Sequence, residues 1–148
     1  MIKAKRYYFC KIKLENLKTL FYPDRKINSP EKVFDLVKDI IGNSDREELL
    51  VISLNIKNEI NGINITTIGT IDTSIANPRE ILKFCLLTNA SNFIICHNHP
   101  SGHPEPSKQD ISFTERMIES SKIIGINLID HIIIGDETFY SFNEKGNL

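Results

Sequence analysis

Phe93-Ile94-Ile95-Cys96-His97-Asn98-His99-Pro100-Ser101-Gly102-His103-Pro104-Glu105-Pro106-Ser107-Lys108-Gln109-Asp110 is the stretch on which the reading of this 148-residue chain turns. Its first four residues are apolar and predict a short buried strand. The strand runs straight into a loop over 97–106 that holds three of the six prolines and three of the four histidines. Ser107 then predicts the start of a helix reaching about residue 124. His97 and His99 are two apart, so in extended backbone leaving a strand they project to the same side. Cys96, one position earlier, should point the other way, into the core. Two imidazoles converging at a strand end are a start on a Zn²⁺ site. Catalytic zinc usually takes three protein ligands and keeps a fourth position for water. Asp110 follows His99 by eleven residues, in the first turn of the next helix, close enough for the loop to fold it back. The prolines and Gly102 stiffen and bend that loop, which lowers the entropy lost in closing it. A neutral-imidazole pair with one carboxylate suits zinc better than calcium or magnesium.

Each piece also has a plainer reading. Ser107-x-x-Asp110 fits an N-terminal capping arrangement, with the serine hydroxyl meeting a free backbone amide and the acid at the third helical position. His103, between Gly102 and Pro104, reads as a solvent-facing loop residue, with substitution as a ligand the alternative. His131, within Leu128-Ile129-Asp130-His131-Ile132-Ile133-Ile134, reads as a hydrogen-bonded sheet histidine rather than a ligand. What favours a metal site is the joint occurrence of two imidazoles at a strand end and a carboxylate at the next helix start.

Outward from this segment the elements follow local signals. Residues 128–134 predict a strand, Gly135-Asp136 a turn, and 138–142 a closing strand. Upstream, Asn77-Pro78 opens a helix through about Thr88, with Ile81, Leu82, Cys85 and Leu86 facing inward. Residues 48–56 predict a strongly apolar strand, and Asn61-Gly62 is a hairpin signal leading to a second strand near 63–71. Ser29 reads as an N-cap with Pro30 at the first helical position. Val33, Leu36, Val37, Ile40 and Ile41 then form an apolar stripe that Gly42 closes. Residues 7–14 predict one more strand. Helices interspersed among strands and a hairpin indicate an α/β (α+β) fold, a three-layer α/β/α arrangement with a mixed sheet.

At 16.9 kDa, with 41% apolar and 25% charged residues, the composition is that of one globular domain rather than a disordered or fibrous chain. The uncharged stretch from Phe84 to Pro104 is no membrane span, because Thr88, Asn89, Ser91, Asn92, His97, Asn98 and His99 interrupt it. Lys3, Lys5, Arg6 and Lys11 leave too short an apolar run for a secretory signal. Three cysteines (Cys10, Cys85, Cys96) at no metal-like spacing suit a reduced cytoplasmic protein. Residues 1–26 carry a balance of +6, leaving −7 on the remainder. That basic segment, interleaved with Tyr7, Tyr8, Phe9, Phe21 and Tyr22, reads either as a weak, nonspecific nucleic-acid contact or as a charged edge strand.

The central segment resembles the JAMM (MPN+, Jab-type) metalloprotease motif, His-x-His-Pro followed by a loop to Ser-x-x-Asp. More narrowly, residues 28–148 resemble the RadC family of bacterial JAMM-domain proteins. The resemblance rests on Asn77-Pro78-Arg79-Glu80, His97-Asn98-His99-Pro100-Ser101-Gly102, Pro106-Ser107-x-x-Asp110, Leu128-Ile129-Asp130-His131-Ile132-Ile133-Ile134-Gly135 and Tyr140-Ser141-Phe142-x-x-x-Gly146. It implies a deaminase-like core, one zinc per chain held by His97, His99 and Asp110, a catalytic serine at Ser107, and a glutamate general base from an earlier strand. Asp45-Arg46-Glu47-Glu48-Leu49 fits the family's acidic run before an apolar strand and places that base at Glu47 rather than Glu48. The implied reaction is metal-assisted hydrolysis of a peptide, isopeptide or other amide.

Two departures qualify the match. Full-length members carry an N-terminal helix-hairpin-helix region, whereas only about 27 residues precede the match here, as expected of a standalone form. Asn55 stands where relatives usually have Asp. Competing functions fare worse. A zinc nucleoside deaminase needs Pro-Cys-x-x-Cys, which the chain lacks. The HNH nuclease name describes residues scattered over a ββα-metal unit, not the tripeptide His97-Asn98-His99. A noncatalytic DNA-associated or protein-interaction module would not need Glu47, His97, His99, Ser107 and Asp110 together.

Overall fold

Ser29 and Pro30 do what their order implies. In the computed structural model, which describes residues 11, 14–18, 20, 22, 25–69 and 77–148, helix α1 (Pro30–Ile41) starts at Pro30 with the Ser29 side chain accepting from the Lys32 amide. Its stripe of Val33, Leu36, Val37 and Ile41 is buried. Strand β1 (Glu48–Leu54) follows, antiparallel to β2 (Ile60–Ile68). Then come α2 (Pro78–Leu87), β3 (Asn92–Asn98), α3 (Lys108–Ile124), β4 (Asn127–Ile134) and the short β5 (Phe139–Ser141). The expected strand over 7–14 and most of the basic segment 1–27 lie outside the described residues.

The five strands form one mixed sheet in the order β2-β1-β3-β4-β5. Only the β3–β4 pair is parallel, joined by a crossover through α3. Strand alternation gives the sheet two apolar faces. Leu50, Ile52, Ile94, Cys96 and Ile132 pack with α1 on one side, while Leu49, Val51, Ile95, Phe113 and Met117 pack with α2 and α3 on the other. This is the expected three-layer α/β/α arrangement. Cys85 and Cys96 are free and buried; burial pushes the Cys85 thiol up to about 12 and Cys96 well above its ordinary value, so neither is a nucleophile at neutral pH. Among the described residues, no helix is long and apolar enough to cross a membrane.

Three sequence expectations are corrected. The hairpin turn is not at Asn61-Gly62 but at Asn55–Glu59. Asn55 builds it: its Oδ1 accepts from the Lys57 and Glu59 amides (2.8 and 3.0 Å), its Nδ2 donates to the Glu59 carboxylate (2.8 Å), and Asn58 takes a positive φ of 59°. The first strand therefore stops at Leu54 and the second begins at Ile60 rather than near 63. Asn61 and Gly62 have another task. The Asn61 side chain donates to the Thr88 carbonyl at the end of α2 (3.0 Å), and a Cβ at Gly62 would lie 3.3 Å from the Phe84 ring. The glycine marks a close helix approach, not a turn. Leu86, expected inside, is 55% exposed, because one residue beyond Cys85 the helix has already turned it to solvent.

Candidate metal centre

His97 sits near the end of β3, the middle strand of the sheet, and is fully buried. Alternation puts it on the α3 side and Cys96 on the α1 side, as expected. His99 leaves the strand still tied to the sheet, its amide donating to the Ile134 carbonyl of β4 (2.9 Å). The chain then bends at Gly102, whose φ of +81° is a backbone conformation that residues with a Cβ rarely adopt, and a Cβ there would also have to displace the Asp136 carboxylate. The bend returns the backbone to Ser107 at the N-cap of α3.

There Ser107 and Asp110 close a capping box. Both the amide and the hydroxyl of Ser107 donate to Asp110 Oδ2 (2.7 and 2.6 Å), and the hydroxyl accepts from the Asp110 amide (3.2 Å). The plainer reading of Ser107-x-x-Asp110 is therefore correct, and it also aims the carboxylate. Asp110 Oδ1 lies 3.3 Å from His97 Nε2, Oδ2 lies 3.5 Å from His99 Nε2, and the two Nε2 atoms are 3.0 Å apart. One donor atom from each of the three residues lies within 4.8 Å of the others, so the group could hold a metal ion.

Second partners orient both rings. His99 Nδ1 faces the His103 carbonyl (2.8 Å), which only accepts, so Nδ1 carries a proton and Nε2 is the atom that faces His97 and Asp110. His103 itself is exposed and contributes its backbone rather than its ring. His131 is fully buried, as its apolar surroundings implied, and lies behind His97 with Nε2 2.9 Å from His97 Nδ1.

The charges follow from these contacts. Burial pushes the Asp110 carboxyl up, but the adjacent His97 and His99 imidazoles and the hydrogen bond from Ser107 outweigh it and hold the group well below the usual carboxylate range. Burial holds His97 below its ordinary value against the pull of Asp110, and holds His131 well below. His99 is raised, chiefly by its hydrogen bond to Asp110. A smaller raising influence on both His97 and His99 comes from the charge of Glu47.

Glu47 lies one residue ahead of β1, on a strand whose Leu49 pairs with His97. Glu48 is turned to other work: its carboxylate accepts from the Ser44 hydroxyl (2.8 Å). Sequence reasoning missed what pins this segment. Asn98, buried between the two histidines in sequence, accepts from the Glu48 amide (2.8 Å) and donates to the carbonyls of Arg46 (2.9 Å) and Ser44 (3.4 Å). Its amide thus brackets Glu47 from both sides. The one available signal was alternation, which turns Asn98 away from His97 and His99. Asn98→Ala is expected to leave these backbone groups without their partner and to cost about 1–3 kcal/mol. A lowered melting temperature and faster amide exchange confined to 44–48 would register it.

A family model described as a RadC-like JAB domain matches residues 27–147. Among similar proteins is a UPF0758 protein of Clostridium acetobutylicum, 45% identical over 123 residues, which are 83% of this chain and 54% of the relative. Another, from Desulforamulus reducens, is 45% identical over 120 residues, covering 81% and 53%. A third, from Methanosarcina mazei, is 40% identical over 124 residues, covering 84% and 54%. The chain spans about half the length of these relatives.

Proposed function

The chain belongs to the RadC-like JAB domain family, and we propose that it is a zinc-dependent amide hydrolase, acting on a peptide or isopeptide bond, with one zinc per chain held by His97, His99 and Asp110. The observation that carries this reading is the spacing of the three donors. Atoms held ~2.0–2.2 Å from one ion at tetrahedral angles sit about 3.3 Å from each other. Here the two Nε2 atoms are 3.0 Å apart and the Asp110 carboxylate spans them, Oδ1 lying 3.3 Å from His97 Nε2 and Oδ2 3.5 Å from His99 Nε2, with one donor atom of each residue within 4.8 Å of the others. Two imidazole nitrogens and one carboxylate also suit zinc by donor type, and three protein ligands leave a fourth position for water.

Zinc bound there would polarise the scissile carbonyl and lower the pKa of its water towards ~7. Glu47 takes the proton from the attacking water as the C–O bond forms and delivers it to the leaving amine, so that the C–N bond breaks as the C=O bond is restored. The Ser107 hydroxyl holds Asp110 in the structure. Turned from Asp110, it would donate to the oxyanion of the tetrahedral intermediate, where negative charge develops. The Ser107 amide remains on Asp110 Oδ2 and keeps the carboxylate aimed.

The test is a screen of peptide and isopeptide substrates with zinc-loaded protein. Hydrolysis is expected to vanish on chelation and return on adding zinc. Turnover indifferent to chelation would overturn the reading.

A further inference from the structure

Behind His97 lies a line of polar atoms that the hydrolytic reading does not use. Thr114 Oγ1 is 2.7 Å from the Asp110 carbonyl oxygen and 2.6 Å from His131 Nδ1. His131 Nε2 is 2.9 Å from His97 Nδ1, and His97 Nε2 is the atom that faces Asp110 and His99. Thr114, His131 and His97 are all buried, so no water competes along the line. The His131 ring is further fixed by stacking on Phe142, with centroids 4.8 Å apart and planes 8° from parallel.

The direction of the protons along this line follows from what each atom can do. A backbone carbonyl only accepts, so at 2.7 Å the single hydroxyl proton of Thr114 goes to the Asp110 carbonyl. Sent to His131 instead, it would leave two oxygen lone pairs facing each other. Thr114 Oγ1 must then accept from His131, which places the His131 proton on Nδ1. A neutral ring protonated there has its lone pair on Nε2, so it accepts from His97 Nδ1–H. His97, in turn, is left with its lone pair on Nε2. We propose that Thr114 and His131 are positioning residues that hold His97 in the tautomer whose Nε2 lone pair faces Asp110 and His99, and so prepare it as a ligand.

The line also joins the ligands to each other. Thr114 takes its direction from the carbonyl of Asp110, which is itself one of the three proposed donors, and passes it to a second, His97. His99 has its Nδ1 proton set independently, by the His103 carbonyl. Each histidine thus has a backbone carbonyl as the ultimate reference for its proton, one directly and one through two side chains. A hydrogen bond that fixes the far nitrogen of a metal-binding imidazole commonly contributes 10–100-fold to metal affinity.

The inference rests on the reading of His97 as a metal ligand, and the experiment separates the two. Zinc affinity is measured by competition with a chromophoric chelator for the wild type, Thr114→Val, Thr114→Ser, His131→Phe and His131→Gln. Thr114→Val keeps the shape and removes the hydroxyl; His131→Phe keeps a ring on Phe142 and removes the acceptor. Both are expected to lose affinity, by roughly 10–100-fold for the His131 change. Thr114→Ser and His131→Gln restore an acceptor at the same place and should recover most of it. In ¹⁵N-histidine spectra of the wild type the His131 proton should be on Nδ1. A proton on Nε2 would overturn the proposal, because it would point at His97 Nδ1 and force the His97 proton onto the ligating nitrogen. Wild-type zinc binding with unchanged affinity in Thr114→Val and His131→Phe would overturn it while leaving the metal site standing. A wild type that binds no zinc would overturn both.

Discussion

Glu47→Gln is expected to keep near-stoichiometric zinc and a near-native melting temperature while losing hydrolysis by ~10²–10⁴-fold, the usual worth of a positioned acid–base group. The metal should stay because His97, His99 and Asp110 supply three donors without Glu47. The rate should fall because glutamine matches glutamate in size but cannot take a proton from water. Glu48→Gln is expected to do far less. Adjacent residues of an extended segment face opposite ways, and the Glu48 carboxylate is already engaged by the Ser44 hydroxyl. Glu47 shares the parity of Leu49, which pairs with His97, and its charge acts on both His97 and His99. Measuring turnover and zinc content on both variants decides the matter. A dead Glu48 variant would mean the acidic run is read one residue out of register, and two active variants would remove the assigned mechanism altogether.

Removing the ligands should have the second large effect. His97→Ala and His99→Ala, singly or together, are expected to reduce zinc from about one per chain to near zero by elemental analysis. His99→Ala is the cleaner of the two single changes. Its ring is only partly buried and bonds outward to the His103 carbonyl, whereas removing the His97 ring also strips His131 Nε2 and Asp110 Oδ1 of their neighbour inside the core. The same variants supply a thermal readout. A ligand at 100 times its dissociation constant stabilises the folded state by about 2.7 kcal/mol. For a domain of this length that raises the melting temperature by on the order of 5–10 °C. The wild type should show this rise on adding zinc and His99→Ala should not. Unchanged zinc content, or an equal rise in both proteins, would contradict the assigned ligands.

The candidate metal centre was more legible in the sequence than the sheet around it, for a physical reason that individual residues show. Ser29-Pro30, Asn77-Pro78 and Ser107-x-x-Asp110 start helices because capping is local: a side chain satisfies an amide two or three residues away. His97 and His99 share a side for the equally local reason that strands alternate. Those short-range rules, added to the family resemblance, suffice to single out His97, His99 and Asp110 as candidate ligands. Asn61-Gly62 failed under the same kind of rule. A dipeptide that favours turns says nothing about Thr88 and Phe84, which lie more than twenty residues away and are what actually meet it. Asn55, which does make the turn, was visible only as a departure from its relatives.

What the sequence alone determined is therefore the order of helices and strands from α1 to β5, the capping of the helices and the donors offered at the end of β3. Their use was decided by tertiary pairing. Antiparallel β1 sets Leu49 against His97, so that Glu47, fifty residues earlier in the chain, lies only two residues from the position paired with it. Asn98 reaches across to hold that segment, and the parallel pairing of β3 with β4 places His131 behind His97, where Thr114 of the crossover helix meets it. None of these contacts has a short-range signature, because hydrogen bonds between distant segments depend on register, and register is settled by which residues of each strand are buried when the sheet packs.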